Sequence, residues 1–372
     1  MIYESTFLEK IALTCGICHD QCAAACPVVE SSRSLAAYPS RLAMLAWELS
    51  RGNLSPDSTL MSAMQNCIHC NACTSHCVYV DQPVDITHLV RRARQHLITA
   101  GWATPAMQDL AAQSKALRDP GSELHRRLRS ISDLPVRDNS PQSTLVLVDA
   151  ATLTDAPGMV EDALRLLAAL GWQGLRVAPI LEYGRDLFEY GFLDEARGCA
   201  LEAVEWIERD GAQDVLTIST ATAHLLREIY PTELAINLSA RVRTIPEAVL
   251  ATVKPGLFHT HPQDRALLVH SATETNKLKD QAALEILKTC CTVVNDPLPA
   301  NLFLRQLTYP DGLALDLHPD PRHRIMARIN QYMQVLGANR AVTTDAGFLK
   351  DFQALGGPTP VGSLYSYLLD SL

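Results

Sequence analysis

The chain has 372 residues, of which 47% are hydrophobic and 20% charged, a composition typical of a globular protein with room for two or three domains. Its formal net charge of −9 and its pI near 5.7 argue against nucleic acid as the main partner. No stretch approaches the roughly 18 uninterrupted apolar residues of a membrane-spanning helix, and the first ten residues lack the features of a secretory signal, so we expect a cytoplasmic protein.

Eight of the eleven cysteines lie within the first eighty residues, in two groups. The first group is Cys15, Cys18, Cys22 and Cys26, followed by Pro27, and the second is Cys67, Cys70, Cys73 and Cys77. The second group has the C-x2-C-x2-C-x3-C spacing of ferredoxin [4Fe-4S] ligands, in which the fourth Cys binds the other cluster when there are two. The first group has one extra residue between its second and third Cys but keeps the terminal Cys-Pro. We therefore predict two [4Fe-4S] clusters, one held by Cys15, Cys18, Cys22 and Cys77 and the other by Cys67, Cys70, Cys73 and Cys26.

Two other uses of these cysteines are less favoured. Structural zinc usually takes pairs of C-x2-C and would leave the third closely spaced Cys of each group unused. A disulfide framework suits small secreted domains rather than a chain of this length. The spacing favours iron–sulfur over zinc, and zinc over disulfides.

Two amphipathic helices are predicted around the second cysteine group. One covers residues 38–49 with Ser40 as its N-cap, and the other covers residues 86–100 with Asp85 as its N-cap. A helix between the two ligand sets, in place of the strand and turn of a small ferredoxin, indicates a helical dicluster domain, which we place at residues 1–135.

Charged and titratable side chains accompany these elements. The second helix carries Arg91, Arg92 and Arg94, which we interpret as a solvated face that offsets cluster charge. A docking face for an acidic partner or an anionic lipid surface is the alternative. The ligand loops contain His19, His69 and His76, which we expect to be exposed. The alternative is that they couple protons to electron transfer or tune the cluster potential by hydrogen bonding.

The remainder of the chain has the pattern of a parallel α/β protein. Residues 119–143 are polar and contain prolines, which predicts a linker. Strands are predicted at 144–149, 175–177 and 214–218, with helices at 159–170, 193–210 and 223–230. The same order recurs, with strands at 266–270, 291–294 and 340–343 and helices at 277–289, 321–336 and 348–354. We predict an α + α/β fold, in which the helical two-[4Fe-4S] ferredoxin-like domain precedes two similar parallel α/β lobes, 143–258 and 264–372.

This arrangement resembles the iron–sulfur subunits built on the Cys-Cys-Gly (cysteine-rich) domain. That family includes the C- and D-type subunits of heterodisulfide reductase and the iron–sulfur subunits of glycolate oxidase, lactate utilisation and anaerobic glycerol-3-phosphate dehydrogenase. The resemblance covers nearly the whole chain, is specific in the first hundred residues, and rests on topology and short matches thereafter.

The lobes depart from the family at its cysteines. Each family lobe carries a Cys-Cys-Gly motif and further cysteines that hold a catalytic iron–sulfur centre. The corresponding segments here, 181–185, 219–224 and 343–348, contain no Cys, and Cys290-Cys291 leads into Thr292 rather than Gly. We therefore interpret the lobes as degenerate, and Cys199, Cys290 and Cys291 as buried structural residues.

The resemblance implies an electron-transfer iron–sulfur subunit of a multi-subunit oxidoreductase, with no catalytic residue of its own. It would relay single electrons through two [4Fe-4S] clusters, from a flavoprotein dehydrogenase or electron-transferring flavoprotein to a quinone or a heterodisulfide reductase-type subunit. It would be cytoplasmic, with peripheral association at the inner face of the cell membrane through its partners. Two alternatives stay open: a catalytic reductase with a substrate or extra cofactor site in the lobes, and a structural or assembly subunit.

Overall fold

The computed structural model describes residues 12–77, 83–116, 122–132, 144–172, 174–295, 308–309, 319–356 and 359–372. These parts combine helices with two parallel sheets, so the predicted α/β character is confirmed. Within the described ranges, no helix has both the length and the apolar character that crossing a membrane requires.

The described residues before position 133 form helices and turns. The helices are α1 (Pro27–Ser32), α2 (Pro39–Ser50), α3 (Ser58–Gln65), α4 (Ala72–Ser75), α5 (Ile86–Thr99), α6 (Pro105–Ala116) and α7 (Glu123–Ser132). Both predicted helices are present as α2 and α5, and Asp85 caps α5 by accepting a 3.1 Å hydrogen bond from the backbone N–H of His88. The predicted cap of α2 is wrong: Tyr38 is the N-cap, because Pro39 already has the backbone angle of a first helical residue.

Helix α7 corrects the prediction of a linker at 119–143. Its Leu128 and Ile131 lie three residues apart on one face, and both are buried in a core that includes the first sheet. Residues 117–121 and 133–143 lie outside the described residues. The segment therefore contains a packed amphipathic helix, whose few apolar positions are hard to recognise in the sequence among the surrounding arginines and prolines.

The first sheet has four parallel strands. They are β1 (Leu145–Leu147), β2 (Arg176–Val177), β3 (Asp214–Thr217) and β4 (Arg241–Thr244), in the order β2-β1-β3-β4. Its helices are α8 (Ala150–Asp155), α9 (Pro157–Ala169), α10 (Arg185–Tyr190), α11 (Leu193–Asp210), α12 (Thr220–His224), α13 (Tyr230–Glu233) and α14 (Ile245–Leu250). A π-helical turn, Leu225–Ile229, joins α12 to α13, and Pro231 lies in the first turn of α13, so the helix predicted at 223–230 continues past its expected end.

The second sheet repeats this strand order. Its strands are β5 (Arg265–Ser271), β6 (Thr292–Val293), β7 (Thr308–Tyr309), β8 (Arg340–Thr343) and β9 (Val361–Ser363), in the order β6-β5-β8-β9, with β7 also pairing with β5. Its described helices are α15 (Ala282–Leu287), α16 (Pro319–Leu336), α17 (Ala346–Leu355) and α18 (Leu364–Asp370). The helix predicted at 277–289 is divided: a π-helical turn, Glu274–Leu278, ends at Lys279, whose φ of 54° is left-handed.

The hydrophobic cores cross the predicted domain boundaries. Leu145 and Leu147 of β1 share one core with α2, α3 and α5, whereas Val146 faces a core that contains both sheets. Val28 and Ile68, which lie close to Cys26 and Cys67 in the sequence, pack with Val269 of β5 in a third core. The N-terminal helices are therefore packed onto both sheets, and this packing positions the two cysteine loops.

Two helix caps occupy equivalent positions in the two sheets, and their contributions to stability can be compared. Thr244 ends β4 and Ser363 ends β9, which lie at equivalent edges of the two sheets, and each residue caps the helix that follows. Thr244 forms a capping box with Glu247, and its hydroxyl also donates to the Asp280 carboxylate at 3.2 Å. Ser363 accepts from the backbone N–H of Ser366, and its hydroxyl donates to the neutral Ser366 Oγ at 3.2 Å, without a capping box. We expect Thr244→Ala to lower the free energy of unfolding by about 1–2 kcal/mol and Ser363→Ala by about 1 kcal/mol or less, measured by urea denaturation.

Thr244→Ser is the control, because it keeps the capping oxygen and should leave the free energy of unfolding within about 0.5 kcal/mol of the unmodified protein. A larger loss in Ser363→Ala than in Thr244→Ala would contradict this account of the two caps.

Candidate functional site

The side chains of the eight N-terminal cysteines lie in two groups of four, and each group lines its own cavity. Cys15, Cys18, Cys22 and Cys77 line the first cavity, and Cys26, Cys67, Cys70 and Cys73 line the second. The grouping crosses the order of the sequence, because Cys26 lies with the later cysteines and Cys77 with the earlier ones. The two groups are the ones that the ferredoxin spacing assigns to two clusters.

Short turns produce this crossing. Cys26 is the N-cap of α1, so the chain changes direction at that residue after the 3-10 turn Gln21–Ala25. That 3-10 turn packs against α4, and Cys77, which follows α4, is thereby brought to the first cavity. His69 and Asn71 have left-handed backbone φ angles of 53° and 56°, uncommon outside glycine, which curl the second ligand loop around its cavity.

Each group contains thiols whose pKa values are raised. Burial raises the pKa of Cys22 to about 12, of Cys70 to about 12 and of Cys26 to about 11, and neighbouring thiols add to the effect. Clustered thiols that ionise poorly together suit a cationic group that deprotonates them and supplies the compensating charge. Their number and chemistry therefore fit the ligand set of a [4Fe-4S] cluster in each cavity.

A single metal ion has a different requirement. Across the described ranges, no group of three or more His, Cys, Asp or Glu side chains is arranged to hold one metal ion. A cubane cluster is a larger group, because each of its four irons takes its own thiolate. The requirements of a single-ion site therefore do not decide whether the four thiols of each cavity fit a cluster.

Arg94 on α5 holds the second ligand loop from inside. The residue is 1% exposed, and its guanidinium donates to the carbonyl oxygens of Met64 at 2.9 Å and Cys67 at 2.7 Å. It also donates to His69 Nε2 at 2.6 Å and to the carbonyl oxygen of Glu189 at 3.0 Å. A loop whose carbonyl groups are buried needs such donors, and one guanidinium supplies several in fixed geometry.

This contact corrects the interpretation of the arginines as a solvated face. Arg91 and Arg94 are buried, and only Arg92 is partly exposed. Arg94 lies four residues after Val90 and three before Leu97, on the face of α5 that packs into the core. The face carries arginines because it covers polar backbone as well as apolar side chains.

His69 was expected to be exposed and is instead buried. Burial lowers the pKa of His69 to about 4, although the neighbouring Glu189 carboxylate acts in the opposite direction. The ring is therefore neutral at pH 7; Nε2 accepts from Arg94, and Nδ1–H faces the Glu189 carboxylate. His19 is exposed as predicted, and His76 is partly buried with Nδ1 3.0 Å from the carbonyl oxygen of Ala72.

Glu189 on α10 joins both sheets to the second ligand loop. Besides His69, its carboxylate contacts Arg91 at 3.7 Å and Lys277 at 3.1 Å, and Lys277 follows the first strand of the second sheet. Burial would raise the pKa of Glu189, but Lys277, His69 and Arg91 outweigh it and hold the pKa well below its usual range. The carboxylate is therefore ionised and compensates the buried cations.

Asn276 is a second contact from the second sheet to the ligand loop. Its side-chain N–H donates to the carbonyl oxygen of Cys70 at 2.8 Å, and its oxygen accepts from the hydroxyl of Ser75 at 2.8 Å. Asn276 lies on the π-helical turn Glu274–Leu278, a conformation often found at functional sites. Both α/β lobes therefore contact the loop that carries Cys67 to Cys73.

The three remaining cysteines lie apart from the two cavities. Cys199 in α11 and Cys290 are fully buried, and Cys291 is partly buried, with its thiol 3.6 Å from the carbonyl oxygen of Leu287. They contribute to the hydrophobic cores, as the sequence predicts for structural cysteines.

Comparisons with known proteins give little further information. No family model matches the chain, and no curated protein matches it. Among solved structures, an aspartate racemase homologue from Pyrococcus horikoshii OT3 is similar over 62% of this chain and 96% of its own, with 13% identity and a TM-score of 0.29. A similarity this low carries no inference about fold or function.

Replacing Arg94 tests its role in the site. Arg94→Gln should lower the free energy of unfolding by about 3 kcal/mol, because it leaves several buried carbonyl oxygens without their donor. Arg92→Gln on the same helix is the matched control and should cost about 0.5 kcal/mol or less, because the Arg92 guanidinium is partly exposed and, among the described residues, donates one hydrogen bond, to Gln95 at 3.3 Å. Chemical denaturation of both variants is the measurement, and equal losses would contradict this role.

Proposed function

We propose that the chain is an electron-transfer iron–sulfur protein and a subunit of a multi-subunit oxidoreductase. The observation that carries the proposal is the division of eight cysteines into two groups of four that line separate cavities. This division is the one that the two-cluster ferredoxin spacing requires, and it unites residues far apart in the sequence. When bound, two [4Fe-4S] clusters would supply one-electron redox chemistry.

The two cysteine groups have different surroundings. The first loop carries Ile17, 71% exposed, and Leu13, 40% exposed, beside its ligand cysteines. The second loop is covered by Arg94, and its His69 is buried. Ile17 and Leu13 would contribute to a surface at which a redox partner docks beside the first group, since apolar surface favours protein contact.

The buried charges around the second group set its electrostatic environment. Arg94 bonds the carbonyl of Cys67, and Lys277 contributes to the field at Cys70. Positive charge and hydrogen bonds beside a redox site favour its reduced form, because that form carries the additional negative charge. The Glu189 carboxylate opposes this effect, but at Cys67 the influence of Arg94 is the larger of the two, so these residues would tune the second site toward accepting an electron.

The partners follow from the resemblance, which implies a relay without a catalytic residue of its own. The donor would be a flavoprotein dehydrogenase or an electron-transferring flavoprotein, and the acceptor a quinone or a heterodisulfide reductase-type subunit. The site would operate in the cytoplasm, with the complex associated peripherally with the inner face of the cell membrane.

Metal content tests the proposal. Protein isolated without oxygen should be brown and contain about eight iron atoms and matching acid-labile sulfide, from eight ligand thiolates in two cubane sets. The triple variant Cys199→Ala, Cys290→Ala and Cys291→Ala is the control and should keep about eight irons, since these three residues line neither cavity. Finding only zinc in the purified protein would overturn the proposal.

A further inference from the structure

The 3-10 turn Leu35–Ala37 reaches from the second cavity to the surface. It joins α1, which begins directly after Cys26, to α2, and it contacts both helices. Ala37 is 1% exposed and lines the second cavity, together with Pro39 of α2. Leu35, two residues before Ala37, is 71% exposed. An exposed apolar side chain therefore lies within two residues of the cavity wall.

Local hydrogen bonds hold Leu35 in its exposed position. The Ser34 hydroxyl caps the turn by accepting from the backbone N–H of Ala36 at 3.3 Å, and the Ser32 hydroxyl accepts from the N–H of Ser34 at 3.2 Å. The N–H of Tyr38 closes the turn by donating to the carbonyl oxygen of Leu35 at 3.2 Å. A large apolar side chain on such a turn suits a contact surface, because the turn does not have to be ordered when a partner binds.

Arginines flank Leu35 and give this part of the surface a positive charge. Residues 31–47 contain Arg33 and Arg41 but no Asp, Glu or Lys, in a chain whose formal net charge is −9. Both arginines are exposed, and neither guanidinium has an ion pair or a hydrogen bond among the described residues. Arg33 is held as the C-cap of α1, where its backbone N–H donates to the carbonyl oxygen of Val29 at 2.9 Å.

Two carboxylates lie on neighbouring elements, and both have partners. Glu30 of α1 forms an ion pair with Arg328 of α16, which packs on α1. Asp20 accepts a 3.3 Å hydrogen bond from the backbone N–H of Ser40, at the start of α2. Arg324 lies one turn before Arg328 on the same face of α16, is exposed, and has no ion pair among the described residues. The surface beside the turn therefore stays positive, although the protein as a whole is acidic.

The first cysteine group presents a different surface. Residues 12–22, which contain Ile17 and three of its ligand cysteines, include no Lys or Arg. The first group is thus bordered by exposed apolar residues without positive charge, and the second by an exposed apolar residue between arginines. A relay exchanges electrons with one partner at each end, and such a difference in charge separates the two partners.

We propose that the turn surface, formed by Arg33, Leu35, Ala36 and Arg41, docks an acidic one-electron carrier protein. Carboxylates of the carrier face the two arginines, and an apolar part of its surface covers Leu35. The position next to the second cavity favours a redox protein over an anionic membrane, because electron exchange needs a partner close to the redox site.

This inference rests on the proposed function, since a carrier needs a redox site behind the surface. The exchange moves one electron between the carrier and the second [4Fe-4S] cluster. The carrier is oxidised as the cluster is reduced, or the reverse, and no bond forms or breaks.

Affinity measurements with defined carriers test the proposal. A flavodoxin and a [2Fe-2S] ferredoxin, both acidic, are titrated by calorimetry into the complete protein without oxygen, at about 0.05 M and about 0.5 M salt. We expect at least one carrier to bind at one site per chain with a Kd of about 100 µM or tighter at low salt, and at least about tenfold more weakly at high salt. Failure of both carriers to bind overturns the proposal. Binding of phosphatidylglycerol vesicles in place of the carriers assigns the surface to an anionic membrane and overturns it as well.

Charge-reversed variants locate the binding. Arg33→Glu with Arg41→Glu should weaken carrier binding at least about tenfold and remove most of its salt dependence, because the new charges repel the carboxylates of the carrier. Leu35→Ser should weaken binding at least about threefold and keep the salt dependence, since it removes only apolar contact. Arg127→Glu with Arg241→Glu is the matched control, because it changes the net charge equally at two other exposed arginines. The control should bind within about threefold of the unmodified protein, and a loss equal to that of the first double variant contradicts the docking surface.

Iron analysis separates this inference from the proposed function. Every variant should keep about eight irons per chain, because none of the replaced residues is a predicted ligand. Absent or unlocalised carrier binding in protein that contains eight irons contradicts the docking surface alone. Protein without iron–sulfur clusters contradicts the proposed function, and this inference with it.

Discussion

The buried guanidinium of Arg94 is the interaction that joins the second cysteine loop to the rest of the fold. It bonds carbonyl groups at the end of α3 and in the second ligand loop, the ring of His69, and the backbone of α10. Without it, several acceptors would be buried without a partner, each at a cost of about 1–3 kcal/mol. Its own burial lowers its pKa, and the neighbouring Cys67, Tyr190 and Glu189 act in the opposite direction.

The α/β lobes have a structural task at the cysteine site, although their own cysteines are too few for further clusters. Glu189 reaches the second ligand loop from the first lobe, and Asn276 and Lys277 reach it from the second. The hydrophobic cores cross the same boundaries, because the N-terminal helices pack on both sheets. The lobes therefore hold the second cysteine loop in place from outside, while residues before position 88 line the second cavity.

The sequence predicts those features that depend on residues close together in the chain. The apolar runs of β1 and β5 are local signals, and so is the cysteine spacing, which predicts the same crossed groups that line the two cavities. Strands β4 and β9 were missed, because Arg-Val-Arg-Thr and Val-Gly-Ser show no apolar run. Each is recognised only by its pairing with β3 or β8, which is a long-range contact.

The residues that contact the second cysteine loop were also difficult to predict, because most of these contacts are long-range. Arg94 carried a usable signal, since Val90 and Leu97 place it on the apolar face of α5, but the charge led to its interpretation as solvated. Glu189 and Asn276 carried none, because each lies more than a hundred residues from the loop residue that it contacts, His69 and Cys70. Such residues become visible only when the fold brings distant segments together.

Iron content in two double variants tests the crossed arrangement of the cysteines most directly. Cys26→Ser with Cys70→Ser removes two ligands from one group and should leave about four irons per chain. Cys18→Ser with Cys26→Ser removes one ligand from each group and should leave neither cluster intact. The opposite result, with about four irons kept in the second pair and none in the first, would mean that each cluster takes its ligands in sequence order and would contradict the account.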